Sequence, residues 1–363
     1  MKANRRHEII TSNNMGEIEF NSNILKGGKS MKKSMTVAMA VFLVFLCVTL
    51  AGRAESAPKV MRVGTIQSTE HPYQKALEKF KELVKQKTNG EIEVRIFPMA
   101  QLGSGPTQIQ SVKLGTLESF VEGSGMYANM VGEFALFTAA YVFDRADVIK
   151  IWDSPIGKEL NEMLIKKHGI RMLCTTWERG PRHLLSVKPV LTVADAKGLK
   201  LRVPQDVTFL ASWKMIGASP TPINMGEVYL ALQQGIVEAE ENPLETHYTQ
   251  KFYEAAKNLS LTAHVIENAG FSVNEKFFQS LTNEQKTALV EAAKEAGKVN
   301  NEMTTNLDTV YRKKMEDEGV KFHVVDRDSF RAACKEAPRQ VEASGLWTKG
   351  YYDRVLEFLK RPK

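Results

Sequence analysis

The chain has 363 residues, 43% hydrophobic and 25% charged, enough apolar material for a sizeable core and for more than one domain. Its 49 Lys and Arg against 42 Asp and Glu give a formal net charge of +7. Eight of those bases and four of the acids fall in residues 1–57, which leaves 41 against 38. No basic run is interleaved with aromatics, so nothing points to nucleic acid as a partner.

Lys32 and Lys33, the apolar run from Met35 to Ala51, and the small residues Gly52 and Ala54 follow the order of a secretory signal. The run is slightly short for a membrane span, and an uncleaved N-terminal anchor is the competing reading. Cys47 lies inside the run without the small residues that precede a lipidated cysteine. Met31 is the better translation start, since signals rarely follow a long polar extension. Residues 1–57 are therefore read as extension and signal, and the mature chain is expected to be soluble and exported to the periplasm.

Lys59 to Ile66 reads as a strand, followed by a helix from Tyr73 to Lys87 with Ala76, Leu77, Phe80, Leu83 and Val84 on one stripe. Asn89-Gly90 turns the chain into an alternating strand, Glu91 to Phe97. A helix near Thr107 to Lys113 and a strand from Leu117 to Val121 complete a β-α-β-α-β order. That order predicts a mostly parallel, helix-covered sheet. Such sheets hold ligands in loops at their strand ends. His71 lies in one such loop, either as an exposed turn histidine or as a ligand contact. Glu122 and Tyr127 lie in the other, Gly-rich loop, and the glutamate suits a ligand hydroxyl or amine. No Gly-Lys-Ser/Thr follows, so this is not a phosphate loop.

After the apolar stretch from Phe134 to Phe143 come helices near 146–152 and 155–168 and a strand from Ile170 to Thr176. The following Trp177-Glu178-Arg179-Gly180-Pro181-Arg182 is read as a first crossover between two lobes, placing Trp177 and Arg182 at the cleft mouth. Trp177 either stacks on a ligand or plugs the hinge, the commoner role; Glu178-Arg179 reads as solvated charge. Cys174 and Cys334 could form one disulfide, although Cys174 sits in an apolar strand and suits a buried thiol. No Cys/His spacing suggests a metal, and no cofactor is expected.

Gly198 to Pro204 describes a short strand with Arg202 at its carboxyl end, and a helix is expected from Gln205 to Leu210. Arg202 is either a solvated strand arginine or an anion ligand. Downstream stand Gly217 to Pro222, Met225, the Glu227 to Leu232 stretch, and Glu241-Asn242-Pro243. A long β pattern from Leu259 to Val273 is expected to lead into a second crossover. Thr282 and Gln285 form a capping box. They open an apolar helical period of about 36 residues, roughly 54 Å at 1.5 Å each, longer than one such domain. An edge strand from Val320 to Val325 and helices around 328–342 and 348–359 close the chain. There is no Gly-x-Ser-x-Gly elbow, metalloprotease helix or other catalytic constellation, so no catalytic residues are assigned.

The motifs Gly198 to Pro204, Gly217 to Pro222, Glu227 to Leu232 and Glu241 to Pro243 resemble, in order and spacing, the DctP-type solute-binding proteins of tripartite ATP-independent periplasmic (TRAP) transporters. Weaker similarity runs from about Val60 to the last helix. The resemblance implies an α/β, two-lobed periplasmic-binding-protein fold with a hinge, a ligand cleft between lobes and one long helix spanning both. It implies lobe I at 58–180 plus about 269–305, and lobe II at 181–268 plus about 306–363. It also implies that Arg202 grips the carboxylate of an organic acid, that Asn242 supports it with its amide donors, and that Arg182 is a second family arginine. Met225 stands where many relatives carry an aromatic residue, Ala140 where a proline is frequent, and Glu238-Ala239-Glu240 replaces a usual Asp-Gly. These departures bear on the distal pocket. The ligand-contact set expected is thus Arg202, Asn242, Arg182, Met225, Glu122, Tyr127, His71, Gln205 and Trp177.

The implied function is capture of an organic acid anion and delivery to TRAP membrane subunits, by a monomer. A ligand-presenting receptor for a sensor kinase and a periplasmic enzyme acting on an organic acid are the alternatives.

Overall fold

The computed structural model describes Met39 and residues 57–362; the expected signal and start fall otherwise outside the described residues. The first sheet grows from alternation: in β1 (Lys59–Gly64), Met61 and Val63 are buried while Lys59 is exposed and Val60 and Arg62 are half-buried. β1 pairs in parallel with β2 (Ile92–Phe97) and β3 (Ser119–Gly123). Parallel neighbours need crossovers, supplied by α1 (Pro72–Lys87) and α2 (Gly105–Leu114).

The chain then builds α3 (Arg145–Trp152) and α4 (Pro155–His168), and runs through β4 (Ile170–Glu178) into a second sheet. That sheet takes β5 (Arg182–Ser186), β6 (Lys200–Val203), β7 (Ser219–Pro222), β8 (Ala239–Pro243) and β9 (Asn258–Ser260). Between them lie α5 (Val207–Ile216), α6 (Val228–Gln233), α7 (Leu244–Thr249) and α8 (Phe252–Ala255). α5 starts two residues later than expected because Asp206, not a residue upstream, caps it, accepting from Thr208 N and Phe209 N.

The expected long β pattern of 259–273 is split. β9 ends in the second sheet, residues 261–267 cross over, and β10 (Asn268–Asn274) inserts antiparallel between β3 and β4. The first sheet therefore has the order β2-β1-β3-β10-β4, mostly parallel as expected, with β10 alone running against the rest. After α9 (Glu275–Gln279) and α10 (Asn283–Asp317), β11 (Lys321–His323) adds to β9, giving the second order β11-β9-β5-β8-β6-β7.

α10 carries the capping box read from the sequence. Its Leu289, Ala292, Ala293 and Ala296 pack with Phe80 and Trp177 of the first lobe, while Tyr311 and Met315 pack with Leu185 and Phe252 of the second. A Cβ built on Gly297 would lie 2.7 Å from Trp177 Cδ1, so the helix uses glycine where the indole presses against it.

The C-terminal residues grouped above with lobe II divide in their packing. Phe330 and Cys334 of α11 (Arg327–Cys334) join Leu201 and Trp213 of the second lobe. Val341 of α12 (Ala337–Ala343), with Tyr351 and Val355 of α13 (Tyr351–Leu359), joins Phe134 and Trp152, while α12 also lies against α5. Cys174 and Cys334 are buried free thiols in different clusters. Among the described residues no helix is long and apolar enough to cross a membrane.

Candidate functional site

β8 is buried along its whole length and lies between β5 and β6, so it brings distant residues together. Arg182 pairs in register with Pro243, His183 with Asn242, and Arg202 with Glu240. Arg182, Arg202 and Asn242 thereby line one cavity of about 190 Å³ between the lobes. Glu122, Arg179, Gln205, Met225 and Glu267 line it as well.

The three arginines differ in what holds them. Arg182 donates through Nε and Nη2 to the two Glu241 carboxylate oxygens at 2.6 and 2.7 Å, and its guanidinium lies over the Phe209 ring at 4.9 Å. Burial pushes the Glu241 carboxyl up, but Arg182 and His264 outweigh burial and hold it down at about 2. Arg179 donates to Glu122 Oε1 at 2.5 Å and lies 3.5 Å from Glu267 Oε1. Burial works against the Arg179 charge, yet the acids facing it leave its affinity for the proton raised.

Arg202 is equally buried, at 3% exposure, but donates through Nε only to Ile223 O at 2.8 Å. It makes no ion pair among the described residues, and its Nη1 is buried without a partner. Burial, only partly offset by Glu240 and Glu241 farther off, pulls its pKa down to about 10. Asn242 Nδ2 donates to Glu240 Oε2 at 2.7 Å, and Oδ1 has no partner. One of the amide donors expected to meet a ligand is thus engaged by Glu240.

At the opposite wall, Gln205 is exposed and donates to Asn224 Oδ1 at 3.3 Å, and its carbonyl accepts from Asn129 Nδ2 at 3.2 Å. Met225 is half-buried beside both lobes' apolar clusters.

Three of the expected contacts do not line the cavity. His71 is buried rather than exposed; its Nδ1 accepts from Tyr73 N and caps α1, and burial, then Arg179, keep its proton affinity well below the ordinary range. Tyr127 is fully buried and donates to Ser272 Oγ at 2.6 Å. Trp177 is fully buried and donates to Ala293 O at 2.8 Å, packed edge-on to Tyr73 and Phe271. Arg182 is deep in the wall instead of at the mouth.

The cavity also gathers residues not anticipated. Arg179, read as solvated, is 3% exposed. Gly123 makes this possible: a Cβ there would lie 2.6 Å from both Arg179 Nη1 and Glu267 Oε1. Asp206 contributes Oδ2, which accepts from Thr138 Oγ1 of the other lobe at 2.9 Å. Burial first, then the nearby Glu267, raises its pKa to about 6. An Asp just ahead of an apolar helix was a readable cap signal; its place in the cleft was not.

The family model DctP, bacterial extracellular solute-binding protein, family 7, matches residues 63–344. The sialic acid-binding periplasmic protein SiaP of Vibrio cholerae is 31% identical over 258 residues, covering 71% of this chain and 80% of that protein. The 2,3-diketo-L-gulonate-binding periplasmic protein YiaO of Escherichia coli is 31% identical over 312 residues, 85% of this chain and 94% of that one. A TRAP periplasmic solute binding protein from Ochrobacterium anthropi, crystallised with bound L-fuconate, superposes with a TM-score of 0.78 at 31% identity, covering 82% of this chain and 98% of its own. With nearly the whole of the two-lobed unit matched, the chain belongs to the DctP family, the bacterial extracellular solute-binding proteins of family 7.

Proposed function

We propose that this protein captures an organic acid anion in the periplasm and hands it to TRAP membrane subunits, with the carboxylate on Arg202. The observation that carries this reading is the contrast among the arginines: Arg179 and Arg182 are neutralised by Glu122 and Glu241, whereas Arg202 faces the cavity without an ion pair. A planar guanidinium with free donors suits the two oxygens of a carboxylate. The named ligands of its relatives, sialic acid, 2,3-diketo-L-gulonate and L-fuconate, are all acids.

Closure follows from the same arrangement. The cavity is walled by both lobes, so a ligand touches all of its partners only when they are together, and differential contact shifts the equilibrium toward the closed state. On this reading the protein binds and releases its acid unchanged, as a monomer, and the hinge runs through residues 179–181 and 261–267. Lobe limits of 58–180 plus 269–305 and 181–268 plus 306–334 fit that hinge, with α12 lying against both lobes and α13 on the first.

The test is calorimetric titration of an acid selected by thermal shift from an organic-acid library, against the parent and Arg202→Ala. Removing one partner of a buried charge pair costs about 2–5 kcal/mol, which is roughly 30-fold to several thousandfold in Kd. A folded Arg202→Ala binding within threefold of the parent overturns the carboxylate anchor.

A further inference from the structure

The walls of the cavity are unequal. One is apolar: Ile66 and Ile109 are buried, and Met126, Met130 and Met225 pack half-buried against the same cluster. Met126 is pressed so close to Gly105 that a Cβ there would fall 2.2 Å from its Cε. The facing wall is charged but almost wholly engaged with itself. Glu122 accepts from Gln67 Nε2, Gly123 N and Arg179. Glu267 accepts from Gly125 N and lies against Arg179 and Arg182. Asp206 accepts from Thr208 N, Phe209 N and Thr138 Oγ1.

What remains without a partner among the buried polar atoms of the lining residues is short: the donors Arg202 Nη1 and Arg179 Nε, and the acceptor Asn242 Oδ1. The Asn242 amide orientation is fixed by chemistry, because turning its oxygen toward Glu240 Oε2 would set two acceptors together. The side-chain amides of Gln110, Asn129 and Gln205 are exposed, and that of Asn224, half-buried, accepts from Gln205 Nε2 through its Oδ1.

We infer that the ligand is a small monocarboxylate with a compact hydrocarbon body, carrying at most one hydroxyl beside its carboxylate, rather than a sugar acid or a dicarboxylate. The inference rests on the reading of Arg202 as the carboxylate anchor and specifies what that anchor holds. Three features point the same way. A second carboxylate would meet Glu122, Glu267 and Asp206 with Arg179 and Arg182 already paired, and like charges at such close range repel. A polyhydroxylated chain lying across the cavity would set part of its hydroxyls against the methionines and isoleucines of the apolar wall, which offers them no partner. Size agrees as well: an engineered apolar cavity of about 150 Å³ takes up benzene, so about 190 Å³ suits a body of that size plus a carboxylate. Asn242 Oδ1, buried without a partner, suits in this scheme the hydroxyl donor of a 2-hydroxy acid.

The experiment is a ranked set of calorimetric titrations of the full mature protein, stripped of co-purified ligand by unfolding and refolding. Benzoate, 2-oxoisocaproate and 2-hydroxyisocaproate form one group; gluconate, galacturonate and succinate form the other. Each is titrated into the parent, Met225→Ser and Arg202→Ala, with circular dichroism as the folding control and Met130→Gln as a second probe of the apolar wall. The expected result is that a member of the first group binds at least tenfold tighter than any of the second. That binding should be weakened by about tenfold or more in Met225→Ser, since each methylene in such a pocket is worth about 10–200-fold, and lost in Arg202→Ala. A sugar acid or succinate that binds tightest and still needs Arg202 overturns this inference and leaves carboxylate capture standing. Tight binding that survives Arg202→Ala overturns the anchor itself. Binding by neither group overturns the inferred ligand class.

Discussion

Arg182 and Glu241 face one another across adjacent strands in a two-pronged ion pair at 2.6 and 2.7 Å, with both side chains at or below 3% exposure. This pair makes Arg182 a structural arginine in the cavity wall. Removing one member of a buried pair strands the other and costs about 3–5 kcal/mol. Arg182→Ala should therefore lower the urea midpoint of the ligand-free protein strongly. Arg202→Ala, which loses one hydrogen bond to Ile223 O, should leave that midpoint nearly unchanged. Equal midpoints for the two variants would refute the division of labour.

Arg202→Lys separates charge from shape. An ammonium keeps the positive charge but offers no planar fork. Titration of the identified acid should show affinity between that of the parent and that of Arg202→Ala, with the fold intact by circular dichroism. Parent-like affinity in the lysine variant would mean that the site reads charge alone.

Two buried acids shape the pH dependence of stability in opposite directions. Glu241 has a folded pKa of about 2, below its ordinary 4.5, so the stability it contributes is present above about pH 4.5 and lost as pH falls toward 2. Asp206 has a folded pKa of about 6, above its ordinary 3.8. The folded state then binds the extra proton between those values, and stability falls as pH rises from about 4 to 6, by about 3 kcal/mol if the whole shift is expressed. Asp206→Asn keeps a good helix cap and should flatten that upper limb in urea titrations from pH 4 to 7. An unchanged slope would place the proton elsewhere.

Gly297→Ala tests the seam between α10 and Trp177. Alanine is the better helix former by about 1 kcal/mol, yet the added methyl would sit 2.7 Å from the indole. Overpacking of this kind costs about 1–3 kcal/mol. A lowered thermal midpoint together with a shifted tryptophan emission is expected; a raised midpoint would show that the seam yields freely.

Much of this organisation was legible in sequence because it depends on local signals. The stripe of α1, the capping box at Thr282 and the strand bearing Arg202 are written within a few residues of themselves. The state of Arg179 was not. Its burial depends on Glu122 and Glu267, which lie 57 and 88 positions away and reach it only through the insertion of β10 and the missing Cβ of Gly123. His71, Tyr127 and Trp177 lie outside the cavity lining, Trp177 in the plugging role read as the commoner one, for a related reason. Each lies near a loop or strand end, where polar aromatic side chains serve ligands or cores equally well. Their actual partners, Tyr73 N, Ser272 and Ala293, are set by caps and packing that spacing does not announce.

Arg179 is also the first residue past β4, in the short link that carries the chain from one lobe to the other, and the next residue, Gly180, donates its backbone N–H to Glu245 at 3.0 Å. On the proposed hinge, the link that would turn as the lobes part is anchored at its first side chain to the cavity wall. Under that proposal occupancy and bending would meet at a single residue with no relay between them, and whatever disturbs the electrostatics of the wall would act directly on the swivel.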